Sequence, residues 1–101
     1  MYKNEKNEKN EDNIFMNNIR KYNDKLNVIG DKIRYYREKQ NLSLVDLSNK
    51  LLLLGIDIPK NSLQRLEHGN RIIKEYELAG FSKVLGVSTD ILLKDFMNEL
   101  N

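Results

Sequence analysis

The sequence of 101 residues predicts an all-α domain of five short helices. Apolar residues recur three and four positions apart, which is the spacing that lines one side of a helix. No segment alternates apolar and polar residues with period two, so strands are not expected. Asn41, Gly55, Gly69 and Gly86 divide the pattern into short stretches, because these residue types tolerate the left-handed conformation in which helices often end.

Each predicted helix has a start signal, a stop signal or both. Ser43 can cap the second helix, and Ser88 or Thr89 can cap the fifth. Pro59 lies near the start of the third helix, where a missing N–H costs little. The predicted helices run from Asp31 to Gln40, from Ser43 to Gly55, from Pro59 to Gly69, from Lys74 to Leu85 and from Ser88 through Phe96.

The first 28 residues differ from the rest of the chain. Residues 1–13 form a Lys/Asn/Glu repeat that can bury almost nothing, which predicts a disordered tail. Residues 14–28 carry a stripe with heptad spacing that includes Phe15, Ile19, Tyr22 and Leu26, which predicts an amphipathic helix. The stripe either folds back onto the core of the same chain or serves as a dimerisation helix, and its spacing fits both.

Composition excludes several functional classes. The chain has no cysteine and a single histidine, His68, so disulfides, thiolate metal sites and a cysteine nucleophile are excluded, and no metal or cofactor is expected. No segment approaches the ~20 apolar residues that span a bilayer, and the N-terminus lacks the apolar core of a secretory signal. We therefore expect a cytoplasmic protein that does not associate with membranes.

Residues 29–93 resemble the Cro/repressor-type (Xre-like) helix-turn-helix family of bacterial and phage transcription regulators. The matching segments are IGDKIRYYR at 29–37, LS at 42–43, DLSNKL at 46–51, SLQRLEHG at 62–69 and LGVSTDILL at 85–93. They occur in the order found in the family and together span about two thirds of the chain. The resemblance implies a five-helix domain of the lambda-repressor type, covering residues 29–101, in which the second and third helices form the DNA-binding pair.

The third helix then offers its outer side to DNA. Lys and Arg can donate to guanine, and Asn or Gln can pair with adenine, so polar residues on that side are candidates for base contacts. They are Lys60 and Asn61 at the N-terminal end, followed by Ser62, Gln64 and Arg65. Phosphate contacts are expected from three residues beyond the helix, Asn70, Arg71 and Lys74.

The resemblance also implies an ion pair between Arg37 on the first helix and Glu67 on the third. Ser48 stands where relatives usually have alanine, and it is small enough for close helix packing. Leu44 stands where relatives often have a glutamine that holds a phosphate. The five residues from Leu52 to Ile56 lengthen the connection between the DNA-binding helices. His68 is either a phosphate contact or an exposed turn residue.

Two functional hypotheses follow. The favoured one is a sequence-specific DNA-binding regulator, repressor-like, that binds double-stranded DNA as a homodimer. The alternative is an antitoxin-like or regulator-binding module that recognises a protein partner on the same scaffold. An enzyme finds no support, since the sequence contains no catalytic constellation and no phosphate-binding glycine loop.

Overall fold

The computed structural model describes residues 22–101, and these residues form five helices and no extended strand. The helices are α1 (Gly30–Lys39), α2 (Leu44–Leu52), α3 (Lys60–Glu67), α4 (Glu75–Leu85) and α5 (Thr89–Glu99). The predicted all-α class and the order of the five helices are therefore confirmed. The predicted tail at residues 1–13 and the part of the predicted amphipathic helix at residues 14–21 lie outside the described residues.

Local signals determine where the helices begin and end. The Ser43 side chain accepts a hydrogen bond from the Asp46 amide, and the Asp46 carboxylate accepts one from the Ser43 amide, each at 2.9 Å. This reciprocal capping satisfies amides that have no partner within α2. Ser88 caps α5 in the simpler way, by accepting from the Ile91 amide. Asn41 and Gly86 have φ angles of +60° and +69°, so the left-handed stops predicted there are confirmed.

A single apolar core joins the helices. Helix α3 packs against both α1 and α2, α4 packs against α1 and α2, and α5 packs against α4. Because the central helices are amphipathic, their apolar sides meet and leave the polar sides in solvent. The buried apolar residues are Ile29, Ile33, Leu47, Leu51, Ile58, Leu63, Leu66, Phe81, Leu85 and Leu92.

The connection between α2 and α3 is long but anchored at both ends. At its start, the amides of Leu54 and Ile56 donate to the Leu51 carbonyl, and Gly55 completes the turn with a φ of +82°. At its end, Ile58 is fully buried and its carbonyl accepts a hydrogen bond of 2.7 Å from the Ser48 hydroxyl. Of the added residues, Leu52, Leu53 and Leu54 are exposed, Leu53 to 87%, whereas Ile56 is half-buried and packs against the core.

Residues 22–28 are not helical, so the predicted amphipathic helix is wrong over this part of its range. Tyr22 and Lys25 instead pair through two backbone hydrogen bonds across a tight turn. Asn23 and Asp24 occupy the turn with φ angles of +52° and +65°, a conformation that Asn and Asp tolerate better than most residues. The Tyr22 ring packs edge-on against the Phe96 ring, with 5.0 Å between the ring centroids. This apolar residue therefore makes a tertiary contact with α5 and does not line one side of a helix.

Candidate nucleic-acid interface

Helix α3 has two chemically distinct sides. Leu63, Leu66 and Glu67 are buried against the core. The opposite side exposes four of the predicted base-contacting residues, namely Lys60, Asn61, Gln64 and Arg65. These positions are spaced by one, three and one residues, so they share one face of the helix. None of the four side chains hydrogen-bonds to another group within residues 22–101, and Ser62 lies half-buried beside them.

The ion pair of Arg37 with Glu67 ties α3 to α1. Arg37 Nε donates to Glu67 Oε2 at 2.6 Å, and Arg37 Nη2 donates to Glu67 Oε1 at 3.0 Å. A third donor, Nη1, reaches the Leu42 carbonyl at 2.8 Å. The side chains are 11% and 3% exposed, so the pair is largely shielded from water. The hydrogen bond to Glu67 raises the pKa of Arg37 above its ordinary value.

The segment after α3 carries the predicted phosphate-contacting residues. Gly69 begins it with a φ of +80°, and the Asn70 amide then donates to the Arg65 carbonyl at 2.8 Å. Asn70 and Lys74 are exposed, whereas Arg71 is half-buried. Asn70 is thus held at the C-terminus of α3 through its backbone, and Lys74 lies four residues further on, immediately before α4.

Arg71 is held by a partner that the sequence analysis did not find. Its Nη1 and Nη2 atoms donate to the two carboxylate oxygens of Glu77 at 2.9 and 3.0 Å. Burial alone would raise the pKa of Glu77, but hydrogen bonds from Arg71 and from the Lys74 amide outweigh it and lower the pKa. A Glu three residues after the N-cap of a helix is a known helix-start signal. The spacing between Lys74 and Glu77 was therefore the available clue that Glu77 has a structural role at the start of α4.

Residues 33–92, more than half of the chain, match the protein family described as Helix-turn-helix. The chain belongs to the helix-turn-helix family. This match confirms the resemblance to Cro/repressor-type regulators, and that resemblance implies that the second and third helices, here α2 and α3, are the helix-turn-helix pair. No curated protein and no solved structure matches the chain.

The helix-turn-helix pair departs from the family pattern at two positions whose surroundings are now visible. Leu44, at the first position of α2, is half-buried and packs against the apolar core. The Ser48 hydroxyl is used to hold the connection before α3. Both residues thus contribute to the packing of the pair, and the start of α2 is capped by Ser43 and Asp46.

His68 lies at the C-terminal end of the helix-turn-helix pair. The residue is exposed, and its Nδ1 atom lies 2.8 Å from the Gln64 carbonyl. Its own carbonyl accepts a hydrogen bond from the Lys25 ammonium at 3.1 Å. The side chain therefore has a local partner on α3, and the two predicted roles of His68, phosphate contact and turn residue, both stay predictions.

None of the helices in residues 22–101 is long and apolar enough to cross a membrane.

Proposed function

We propose that this helix-turn-helix protein is a sequence-specific transcription regulator, repressor-like, that inserts α3 into the major groove of double-stranded DNA. The observation that carries the proposal is the division of α3 into a buried side and an exposed polar side. The exposed side groups Lys60, Asn61, Gln64 and Arg65, whose donors and acceptors match the edges of guanine and adenine.

The N-terminal end of a recognition helix enters the groove most deeply, so Lys60 and Asn61 are the proposed main base contacts. Ser62, Gln64 and Arg65 follow as secondary contacts. Asn70 and Lys74 are proposed to meet phosphates, since both are exposed beyond the C-terminus of α3. Arg71 is the weaker phosphate candidate, because its two terminal nitrogens already donate to Glu77.

Selection of bound duplexes from a random DNA pool, at a stated salt concentration, tests the proposal. A regulator that reads bases enriches a defined motif, and a dimer enriches one with two-fold symmetry. Recovery of a pool with no preferred sequence would contradict base reading by α3. Stating the salt concentration matters because phosphate contacts make affinity strongly salt-dependent.

A homodimer is proposed because one domain of this size makes few base contacts and a second copy doubles them. Two surfaces are candidates for the interface: the part of the stripe at residues 14–21, which lies outside the described residues, and the side of α5 around Ile91 and Phe96. Ile91 is exposed, whereas Phe96 is half-buried beneath Tyr22. Mass measurement in solution, on the full chain and on the variants Phe15→Asp and Ile91→Asp, distinguishes the two surfaces. A monomeric full chain at tens of micromolar would contradict the dimer.

A second candidate function is the antitoxin-like or regulator-binding module, which would recognise a protein partner. The observation that favours it is the exposure of three consecutive leucines, Leu52, Leu53 and Leu54. Exposed apolar side chains that are contiguous often mark a protein-binding surface. If DNA selection fails while the triple variant Leu52→Ser, Leu53→Ser, Leu54→Ser abolishes capture of a specific protein by the full chain, this second function is supported.

A further inference from the structure

A short segment before α1 is bonded to the C-terminal end of the proposed recognition helix. The Leu26 amide donates to the Gly69 carbonyl at 2.7 Å, and the Lys25 ammonium donates to the His68 carbonyl at 3.1 Å. The last carbonyls of a helix and the turn after it lack partners within the helix. Residues 25–27 supply such partners here, and we name them the strap.

Asn27 is the residue of the strap that makes the most connections. Its Nδ2 donates to the Leu66 carbonyl at 2.9 Å and to the Arg71 carbonyl at 2.8 Å. Its Oδ1 accepts from the amides of Gly30 at 2.7 Å and Ile29 at 3.2 Å. A carboxamide offers two N–H donors and two oxygen lone pairs, so the hydrogen-bonding capacity of this side chain is fully used.

The four bonds of Asn27 join three parts of the chain. Two of them cap the start of α1, one holds the last turn of α3, and one holds the segment after α3. Gly30 brings the first turn of α1 directly against the backbone of α3, where an added Cβ would collide with the carbonyls of Leu66 and Glu67. The end of α3 is therefore fixed by backbone contact on one side and by the Asn27 amide on the other.

We propose that Asn27 is a positioning residue for DNA binding: through its bonds to Leu66 and Arg71 it sets the path of the segment that presents Asn70 and Lys74 to phosphates. The inference rests on the proposed function. It assigns a DNA-binding role to a residue that lies outside the helix-turn-helix pair and touches no DNA itself. Phosphate contacts set the register of a protein on the duplex, so displacing this segment weakens binding to every sequence.

Two variants of the full-length protein separate the capping role of Asn27 from the positioning role. Asn27→Asp keeps the oxygen acceptors for the amides of Ile29 and Gly30, but it loses both N–H donors and brings a carboxylate against two carbonyls. Asn27→Ala loses all four bonds. Asn98→Asp is the matched control, because Asn98 is exposed on α5 and its side chain forms no hydrogen bond within residues 22–101.

Affinity is measured by titration with two short duplexes, one recovered from the random-pool selection and one of scrambled sequence. Thermal unfolding is followed separately, so that all titrations are made where every variant is folded. Asn27→Asp is expected to bind both duplexes roughly tenfold more weakly than the wild type, because a displaced segment no longer presents Asn70 and Lys74 to phosphates. Asn98→Asp is expected to stay within about twofold, as is usual for exposed substitutions.

The outcomes are distinguishable. If the folded Asn27→Asp protein binds both duplexes as tightly as the wild type, Asn27 is only a cap of α1 and the positioning role is wrong. If Asn98→Asp loses as much affinity as Asn27→Asp, the added negative charge explains the loss and the positioning role is again wrong. If the wild type itself binds neither duplex, the proposed DNA-binding function fails, and the inference fails with it.

Discussion

The Glu77 carboxylate accepts hydrogen bonds from both terminal nitrogens of Arg71, at 2.9 and 3.0 Å. These bonds tie the segment after α3 to the first turn of α4. The Glu77 side chain is 3% exposed and the Arg71 side chain 21% exposed. A carboxylate that is so well shielded requires its charge partner, because an unpaired charge in this position would be strongly destabilising. The pair consequently gives Arg71 a structural role in addition to any contact with DNA.

Stability should therefore depend on Arg71 even without DNA. Arg71→Ala is expected to lower the free energy of unfolding by about 2 kcal/mol, the range for hydrogen bonds between charged groups with a discount for partial exposure. Chemical denaturation measures the loss, and Lys74→Ala serves as the control because Lys74 is exposed. Equal stability of the wild type and Arg71→Ala would contradict a structural role for the pair.

The same pair predicts a pH dependence. The pKa of Glu77 is lower in the folded protein than its ordinary value, so the stabilisation is present above the unfolded-state pKa of about 4.3. It is lost as the pH falls through the lowered folded-state pKa. Because Glu77→Gln cannot titrate, the stability gap between the wild type and this variant should narrow on acidification from pH ~6 to ~3. A stability difference between the wild type and Glu77→Gln that stays constant across this range would exclude Glu77 as the source of the pH dependence.

The Arg37–Glu67 pair predicts a large effect from a conservative substitution. Glu67→Gln should cost about 3 kcal/mol, because it removes the buried carboxylate that accepts two hydrogen bonds from Arg37 and leaves only the exposed Glu38 carboxylate, 3.9 Å away. Glu38→Gln is the matched control: Glu38 is bonded to Arg34 at 3.2 Å with both side chains more than half exposed, and its carboxylate lies 3.9 Å from Arg37 without a hydrogen bond. Such exposed pairs contribute at most ~0.5 kcal/mol, so the control should melt close to the wild type. Equal melting temperatures for the two variants would show that shielding does not matter here.

Two glycines should respond differently to alanine. At Gly30 an added Cβ would meet the backbone carbonyls of Leu66 and Glu67, which cannot move without shifting α3. Gly30→Ala is therefore expected to cost about 2 to 3 kcal/mol as an overpacked site. Gly55 has open space around it but a φ of +82°, so Gly55→Ala should cost only about 1 kcal/mol. Thermal unfolding of both variants measures which substitution destabilises the protein more. A lower melting temperature for Gly55→Ala than for Gly30→Ala would contradict the prediction.

DNA binding should separate base contacts from phosphate contacts. Lys60→Ala and Asn61→Ala are each expected to cost about 1 to 3 kcal/mol on the selected duplex and to relax its sequence preference. Lys74→Ala should instead weaken binding to selected and scrambled duplexes alike and reduce the salt slope by roughly 0.9. Titrations of both duplexes at two salt concentrations measure the difference. Equal losses on both duplexes for Lys60→Ala and Asn61→Ala would defeat base reading by these residues.

The features that could be predicted from the sequence are those in which the deciding interaction is local. Ser43, Asn41 and Gly86 act on backbone groups within a few residues, so their effect on the helix ends was predictable. The exposed side of α3 was predictable for a related reason, since helical spacing alone decides which residues share a face. The family pattern then supplied what spacing could not, namely that α3 is the helix expected to meet DNA.

The failures share a physical cause, which is contact between residues distant in sequence. Tyr22 and Leu26 fitted the helical spacing of the stripe, but Tyr22 packs on Phe96 and the Leu26 amide bonds to the Gly69 carbonyl. The bonds of Asn27 to Leu66 and Arg71 likewise join residues about forty positions apart. No periodicity within residues 14–28 carries information about such partners, so the strap could be found only in the folded chain.

The hydrogen bond from Ser48 to the Ile58 carbonyl has a consequence for how this protein can vary. It fixes the last part of the connection immediately before α3, while the turn from Leu52 to Gly55 is held by backbone hydrogen bonds to the end of α2. The length of the connection is thereby uncoupled from the placement of α3. Insertions, deletions or substitutions at residues 53–55 are therefore expected to leave the placement of α3 unchanged, so this turn could gain new contacts while the rest of the domain keeps its own.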